Sequence, residues 1–506
     1  MSGNLYALLA SRFSSSPESV CLELEDGTRY TYADLEAETA RYANLLGSLG
    51  LAPGDRVAAQ IDKTPQAVFL YLGCLRAGCV YLPLNTAYQA QEVGFFLGDA
   101  EPKLAVGRPG VRAWFAGVAK KAGVEHVLEL DAADRGSLAD AAARQPARFE
   151  TVSSQPNDLA SIIYTSGTTG RSKGAMVTHR NLGSNARVLH DTWKFRPGDV
   201  LVHALPLFHV HGLYVALHTT LLGASRMVFL PRFDAGQVMR YFSRGTVLMG
   251  VPTYYVRLLA EPGFTKELCA HMRLFVSGSA PLLAETFNEF KRRTGHAILE
   301  RYGMTETGMN TSNPYEGERR AGTVGSPLPG IEVRVASEAD QPLPSGEIGA
   351  IQVRGPNVLP GYWRLPEKNK EEFTADGFFR TGDVGKFDRD GYLTLVGRSK
   401  DLVISGGYNV YPKEIELLLD ELPDVEESAV IGIPHPDFGE AVTAVIVPKK
   451  NAQLTEDDVI AYVKDKLANF KVPKRVHFVA ELPRNAMGKV QKNVLREQYG
   501  GRPFSA

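Results

Sequence analysis

The sequence predicts an α/β fold: a large N-terminal domain of mixed, largely parallel sheets with a β-rich region, then a small α+β domain. Three textures along the chain predict it. Through the first two-thirds, short apolar runs alternate with helical patterns, as in RVAAQI, TPQAVFLYLGCLRAG and VYLPLN. LAVG, HVLEL, SIIYTS, VLVHALP, RMVFLP, TVLMGVP and RLFVSGSAP continue the series, and such alternation favours parallel sheets crossed by helices. After about Gly322 the pattern becomes short strands with Asp-Gly turns, and Asp388-Arg389-Asp390-Gly391 reads as a hairpin connection. From Ser399 a third texture mixes the helical patterns YPKEIELLLDEL and TEDDVIAYVKDKLANF with the strand patterns ESAVIGIP and AVTAVIVP. The boundary is expected near Lys400, giving domains of residues 1–399 and 400–506.

Composition bounds the partners. A chain of 506 residues is too long for one ordinary core. Its 44% hydrophobic and 22% charged content is that of a globular protein in water, and a net charge of −1 gives no support to a nucleic-acid partner. Cys21, Cys74, Cys79 and Cys269 show no metal or redox spacing and are expected to be reduced, which fits a cytoplasmic location. The N-terminal MSGNLYALLASRF reads as a short amphipathic helix, not a secretion signal. No run approaches the roughly 18 apolar residues of a membrane span.

The run YTSGTTGRSKG, residues 164–174, has the chemistry of a phosphate-holding loop. Gly167, Gly170 and Gly174 permit turns that a Cβ disfavours, Thr165, Ser166, Thr168, Thr169 and Ser172 offer hydroxyls, and Arg171 and Lys173 add positive charge. It follows a buried-strand pattern, and a helix is plausible over the AMVTHRNLGSNARVLH that comes next. The spacing is not that of a Walker loop. A polar surface loop is the alternative.

Five further segments narrow the reading. LPLFHVHG carries His209 and His211, VSGSAPL carries Ser279, Ala280 and Pro281, and ERYGMTET carries Arg301, Tyr302, Gly303, Met304, Thr305 and Glu306. FFRTGDVG centres on Asp383, and GRSKDLVISGGYNVYPKEIE holds Arg398, Lys400, Ser405, Gly406 and Gly407. With Lys489 in PRNAMGKVQK, these segments in this order resemble the adenylate-forming superfamily of acyl-CoA synthetases, peptide-synthetase adenylation domains and luciferases. The resemblance runs from TYADLEAE to GKVQK, nearly the whole chain.

That resemblance implies an ATP-dependent acid–thiol ligase with a mobile C-terminal domain and CoA as co-substrate. Lys489 would bridge the attacking carboxylate and the α-phosphate, where positioning and charge neutralisation supply most of the catalysis. The alternative is a solvated surface lysine, and Lys492 is its neighbour in the same segment. Glu306 would hold Mg²⁺, directly or through water, or else be a capping residue. Thr165 to Gly170 with Lys173 would hold phosphates, Ser279-Ala280-Pro281 and the Arg301 to Thr305 run would line the AMP, and Asp383 and Arg398 would take the ribose. These last two are otherwise turn residues. Lys400 matches the hinge, or is a plain linker, and Ser405, Gly406 and Gly407 would face the pantetheine arm. Acetylation of Lys489 would remove the catalytic charge.

The acid is narrowed by two arginines. A second carboxylate on the substrate needs a cation, and arginine's planar fork suits it. Arg257 in GVPTYYVRLL and Arg301 in LERYGMTETGMNTSNPYEGERRAGTVG make the chain closely similar to malonyl-CoA synthetases, in which the matching arginines hold the free carboxylate. Either could instead pair with a structural acid such as Glu300. His209 would close the pocket near the reacting carboxylate. The expected activity is malonate–CoA ligation, with small 2-substituted malonates such as methylmalonate tolerated. A general short-chain, medium-chain or aryl acyl-CoA synthetase and a stand-alone adenylation module loading a carrier protein are the alternatives, with a nucleotide sensor as a remote third.

Overall fold

The strand Arg56–Gln60, the helix Pro65–Ala77 and the strand Val80–Pro83 show how the chain builds its parallel sheets. Thr64 caps the helix by accepting the Ala67 N–H at 3.3 Å, and Pro65 sits where its missing donor is harmless. Gly78, at φ 72°, ends the helix in the left-handed conformation that glycine adopts without steric penalty. Every helix residue except Gln66 is buried, as its all-round apolar sequence requires. The flanking strands then pair in parallel, Val57 opposite Tyr81.

The computed structural model describes residues 3–13, 15–165, 172–405, 408–435, 439–485 and 488–500, excepting the side chains of Lys400 and Asn409. It divides into two compact units. The first runs to Ala321 and takes in Gly325–Glu332 and Val353–Phe379, and the second takes Gly322–Val324, Val333–Gln352 and what is described from Arg380 onward. The β-rich region therefore falls largely in the second unit, on the other side of the 399/400 division suggested by sequence texture.

The first unit holds two sheets. One has six strands, ordered in space His126–Glu129, Leu104–Gly107, Arg56–Gln60, Val80–Pro83, Leu159–Thr165, Lys173–Thr178, parallel except for the last pair. The other has nine, and its interior is parallel: Leu299–Met304, Leu274–Ser277, Val247–Gly250, Val200–His203, Arg226–Phe229 and Val20–Glu23. Antiparallel strands close both of its edges. In open α/β sheets ligands bind beyond the carboxyl ends of the strands, and Ser277, His203 and Met304 are such ends. The N-terminal helix, Leu5–Phe13, forms as expected and buries Leu5, Tyr6, Leu9 and Phe13. All four cysteines are buried and free.

One local expectation changes. The phosphate loop does not lead straight into a helix: Lys173–Thr178 is a strand antiparallel to Leu159–Thr165, with Tyr164 opposite Gly174. The helix His179–Thr192 begins only at Thr178, whose hydroxyl accepts the Asn181 N–H while the Asn181 side chain accepts from Thr178. That reciprocal cap sets the boundary, and Ala175, Met176 and Val177 before it fill a sheet edge.

In the second unit, Glu332–Ala336, Gly349–Arg354, Phe379–Phe387 and Leu393–Arg398 make a four-stranded sheet. The hairpin at 388–391 is confirmed: Gly391, at φ 81°, donates to the Asp388 carbonyl at 3.2 Å. A five-stranded sheet of Val403–Ser405, Tyr408–Val410, Val425–His435, Gly439–Pro448 and Arg475–Phe478 carries a core on each face. Along Val425–His435, Val430 faces one core while Ala429, Ile431 and Ile433 face the other, the period-two alternation of a strand.

Asp420 closes the helix Pro412–Leu419, an unfavourable end for a negative charge. Burial pushes its carboxyl up to about 6, against the opposing pull of Lys413 and the Ser428 hydroxyl. The folded value lies above the unfolded one of about 3.9, so the folded state takes up the proton first and gains stability as pH falls. Denaturation from pH 7 to pH 4 should therefore show the native protein gaining roughly 2 kcal/mol relative to Asp420→Asn. Parallel pH profiles for the two proteins would contradict this.

Candidate active site

Arg301 lies on the strand Leu299–Met304 and is 3% exposed. Its guanidinium packs over Gly278, where an added Cβ would stand 2.4 Å from the guanidinium carbon. Nε and Nη2 are buried and have no hydrogen-bond partner among the described residues. Burial pushes the group down to about 9, while Tyr255 and Glu300 pull the other way. Glu300 does not neutralise it by an ion pair: its Oε1 accepts the Leu282 N–H at 3.1 Å, and the Tyr255 hydroxyl donates to the Val276 carbonyl at 2.6 Å. A buried guanidinium with two donors unused has the chemistry that suits an anionic, planar group.

Arg257 behaves differently. It is exposed in the last turn of the helix Pro252–Ala260, a position that suits a cation electrostatically. Its neighbour Tyr255 is buried on the same helix and couples electrostatically to Arg301.

His209 and His211 follow the strand Val200–His203. The His209 Nδ1 accepts the His211 N–H at 3.3 Å. His211 is buried, and burial, aided by Arg301, His209 and His203, holds its imidazole well below the usual range and so neutral. Its Nδ1 lies 3.3 Å from the Ser279 hydroxyl. Ser279 has φ 70°, a left-handed conformation that is strained for a residue with a Cβ, in the turn formed with Gly278, Ala280 and Pro281.

Tyr302 is buried and pairs with Thr311, and a bulge follows at Gly303. A Cβ on Gly303 would meet the Gly308 carbonyl oxygen at 2.1 Å, so glycine is required for this tight return. Met304 and Thr305 are half-buried, and Glu306 is buried with its Oε1 accepting the Tyr362 hydroxyl at 3.0 Å. Lys173 stands 4.2 Å over the Tyr362 ring and donates to Glu372 at 3.0 Å. The structure thus brings Lys173 and Glu306 together through Tyr362. Backbone pairing holds the arrangement: Met176 donates to the Gly361 carbonyl and Trp363 to that of Gly174. Neither Tyr362 nor Glu372 was marked by the sequence, where GYWRLPEKNKEE shows no motif. Thr165 ends its strand, while Ser166, Gly167, Thr168, Thr169 and Gly170 lie outside the described residues.

In the second unit, Asp383 and Arg398 face each other across paired strands. Asp383 is buried and accepts from the Arg398 Nε at 3.0 Å. Lys489 sits in a turn closed by its N–H to the Asn485 side chain at 3.0 Å and by the Asn485 N–H to its own carbonyl at 2.9 Å. Gly488, at φ 74°, makes that turn possible. Lys492 is instead committed to structure, 2.5 Å from the buried Glu416. Burial raises Glu416, but Lys492 and Lys413 outweigh it and hold the carboxylate below its ordinary range. Ser405 is buried on its strand, Lys400 lies in a short 3₁₀ turn, and Gly406 and Gly407 fall outside the described residues.

Among the described residues no group of three or more His, Cys, Asp or Glu could hold a metal ion. Glu306 is a buried carboxylate, and a phosphate-bound Mg²⁺ keeps several waters and needs only one or two protein carboxylates. No helix among those residues is long and apolar enough to cross a membrane.

Comparison with known proteins decides the family. The AMP-binding enzyme family matches residues 9–363, and the AMP-binding enzyme C-terminal domain matches residues 414–489. The chain belongs to the AMP-binding enzyme family. A malonate–CoA ligase of Arabidopsis thaliana is 34% identical over 98% of this chain and 89% of its own length. A feruloyl-CoA synthase of Amycolatopsis is 36% identical over 97% of this chain and 98% of its own. Among solved structures, ATP-bound MatB from Rhodopseudomonas palustris superposes with a TM-score of 0.97 at 55% identity, covering 99% of both chains. The α/β architecture read from the sequence is the one this AMP-binding enzyme adopts.

An unpaired buried guanidinium destabilises the protein that carries it. Arg301→Met should therefore raise the stability of the ligand-free enzyme, by about 1–3 kcal/mol. Thermal or denaturant unfolding measures it, and a less stable Arg301→Met protein would mean that the guanidinium has a partner at rest.

Proposed function

We propose that this AMP-binding enzyme is a malonate–CoA ligase, converting malonate, ATP and CoA to malonyl-CoA, AMP and pyrophosphate. The observation that carries the reading is the Arg301 guanidinium, buried on Gly278 with Nε and Nη2 unpaired. It supplies what a dicarboxylate needs and an apolar acid does not. The Arabidopsis malonate–CoA ligase supports the acid, whereas the feruloyl-CoA synthase at similar identity shows that overall similarity alone does not select it. Methylmalonate is proposed as a secondary substrate, because one methyl group changes binding by only about 1–3 kcal/mol.

The reaction is proposed in two steps. The reacting carboxylate oxygen of malonate attacks the α-phosphorus of ATP, a P–O bond forms as the bond to pyrophosphate breaks, and malonyl-adenylate results. The CoA thiol then loses its proton and attacks the acyl carbonyl, and AMP leaves with the bonding pair. Arg301 and Arg257 hold the non-reacting carboxylate away from the phosphorus. His209 lies by the reacting carboxylate. Lys173 and the loop of Thr165 to Gly170 hold phosphates, while Ser279, Ala280, Pro281 and the Tyr302 to Thr305 run frame the base. Asp383 and Arg398 bind the ribose hydroxyls. Glu306, oriented by Tyr362, holds the Mg²⁺ that accompanies ATP and neutralises phosphate charge. Lys489 supplies the cation between the two anions as they meet, which is the dominant electrostatic demand of the step. For function the division stays at 399/400, with Lys400 as hinge and Ser405, Gly406 and Gly407 toward the pantetheine arm. Acetylation of Lys489 is proposed as a means of switching off the first step, and the cytoplasm as the compartment.

Pyrophosphate release with ATP, Mg²⁺ and CoA should be fast with malonate and slow with acetate, butyrate, octanoate, benzoate and oxalate. Arg301→Ala should lower kcat/KM for malonate by at least about a hundredfold, the order seen when a buried charged hydrogen bond is lost, with ATP binding retained. A preference for octanoate or benzoate would return the arginines to structural roles. In half-reactions, Lys489→Ala should abolish adenylate formation yet thiolate supplied malonyl-adenylate. Equal loss in both would assign Lys489 to folding instead.

A further inference from the structure

The loop that carries His209 leaves the strand Val200–His203 and re-enters regular structure in the π-helical turn His211–Ala216. Its two ends are tied to one another. The His203 Nε2 lies 3.0 Å from the Gly212 carbonyl oxygen, which accepts and cannot donate, so Nε2 carries the proton. The His203 Nδ1 is then a bare acceptor. Lys63 fills that role: its Nζ lies 2.8 Å from the His203 Nδ1 and 2.7 Å from the His203 carbonyl oxygen. The amine also stands 4.5 Å over the Phe229 ring. Lys63 comes from the segment between the strand Arg56–Gln60 and the helix Pro65–Ala77, so the tie links the six-stranded sheet to the nine-stranded one.

Two further features show why the loop needs it. Gly212 packs directly on the loop's own start, where an added Cβ would meet the Pro206 carbonyl oxygen at 2.0 Å. On another side the loop is not closely packed: a cavity of about 110 Å³ is bounded by Pro206, Leu207 and Phe208 together with Lys63 and Tyr81. Side chains in a close-packed interior are held by their neighbours, but next to a cavity that restraint is missing. Hydrogen bonds must then fix the backbone leading into His209.

We propose that Lys63, acting through His203, is a positioning residue for His209, fixing the loop from Ala204 to His211 against the Gly212 turn. This rests on the proposed placement of His209 beside the reacting carboxylate. The bond to the His203 Nδ1 sets the imidazole tautomer, the tautomer presents Nε2–H to the Gly212 carbonyl, and that bond closes the loop.

The test is a double-mutant cycle read by pyrophosphate release, using whichever acid the wild-type enzyme turns over fastest. Lys63→Met keeps the length and apolar stem but removes the donor. It should lower kcat by about tenfold with the KM for ATP nearly unchanged, the order expected when a reacting group is displaced by part of an ångström. In the His209→Ala background the same substitution should cost less than about twofold, because coupled groups are not additive. Losses that multiply across the two backgrounds, or a wild-type rate for Lys63→Met, would overturn the proposal. Should Lys63→Met not fold, His203→Phe keeps a ring against Phe229 but drops both hydrogen bonds, and it must show the same non-additivity. Failure to use malonate bears on the choice of acid and leaves this cycle intact, since the cycle is run with the preferred acid.

Discussion

A buried guanidinium with no ion-pair partner among the described residues is the constraint around which this site is arranged. Removing a guanidinium from water is costly, and the cost is recovered only when an anion arrives with geometry that matches the fork. Arg301 is held in that condition by its surroundings. Gly278 leaves room for the group to lie flat against the backbone, Tyr255 is already bonded to a main-chain carbonyl, and Glu300 is turned toward Leu282. Burial, aided by Arg301, holds its neighbour His211 well below the usual imidazole range. The strained turn at Ser279 belongs to the same arrangement, since its hydroxyl meets His211. Strain of this kind persists where surrounding packing over-determines it, and the buried parallel strands beneath provide that packing.

In the second unit two neighbouring lysines are held in different ways. Lys489 and Lys492 are three residues apart but have opposite fates. Lys492 is drawn into the buried Glu416 carboxylate at the start of the last helix, whereas the Lys489 backbone is cinched by Asn485 in a glycine-dependent turn. Arg484 secures the same turn by donating to the Gly488 carbonyl at 2.6 Å and pairing with Glu427. The Lys492–Glu416 pair anchors the segment.

Much of this was legible beforehand where the physics is local. Thr64-Pro65 and Gly78 bracket their helix because capping needs only adjacent residues, and the Asp388 to Gly391 turn follows from the conformational freedom of one glycine. The stretch after the phosphate loop is a strand and not the helix its sequence suggests, because Ala175, Met176 and Val177 are compatible with either. Pairing with Ile162 and Ile163 makes it a strand, and the Thr178–Asn181 cap marks where the helix starts. Arg257 and Arg301 look alike in the sequence, yet one is exposed and the other buried.

By itself the sequence determined the alternation of strands and helices, the glycine-dependent turns and the order of the motifs, all of which depend on residues close together along the chain. Tertiary structure alone decided which polar groups meet. Lys173 reaches Glu372 across 199 positions, Tyr362 reaches Glu306 across 56, and Lys63 reaches His203 across 140. No periodicity or spacing encodes such meetings, because they are set by how the sheets stack and where their strands end. The unpaired state of Arg301 is of the same kind: it follows from what the fold places around the guanidinium, and from what it leaves out.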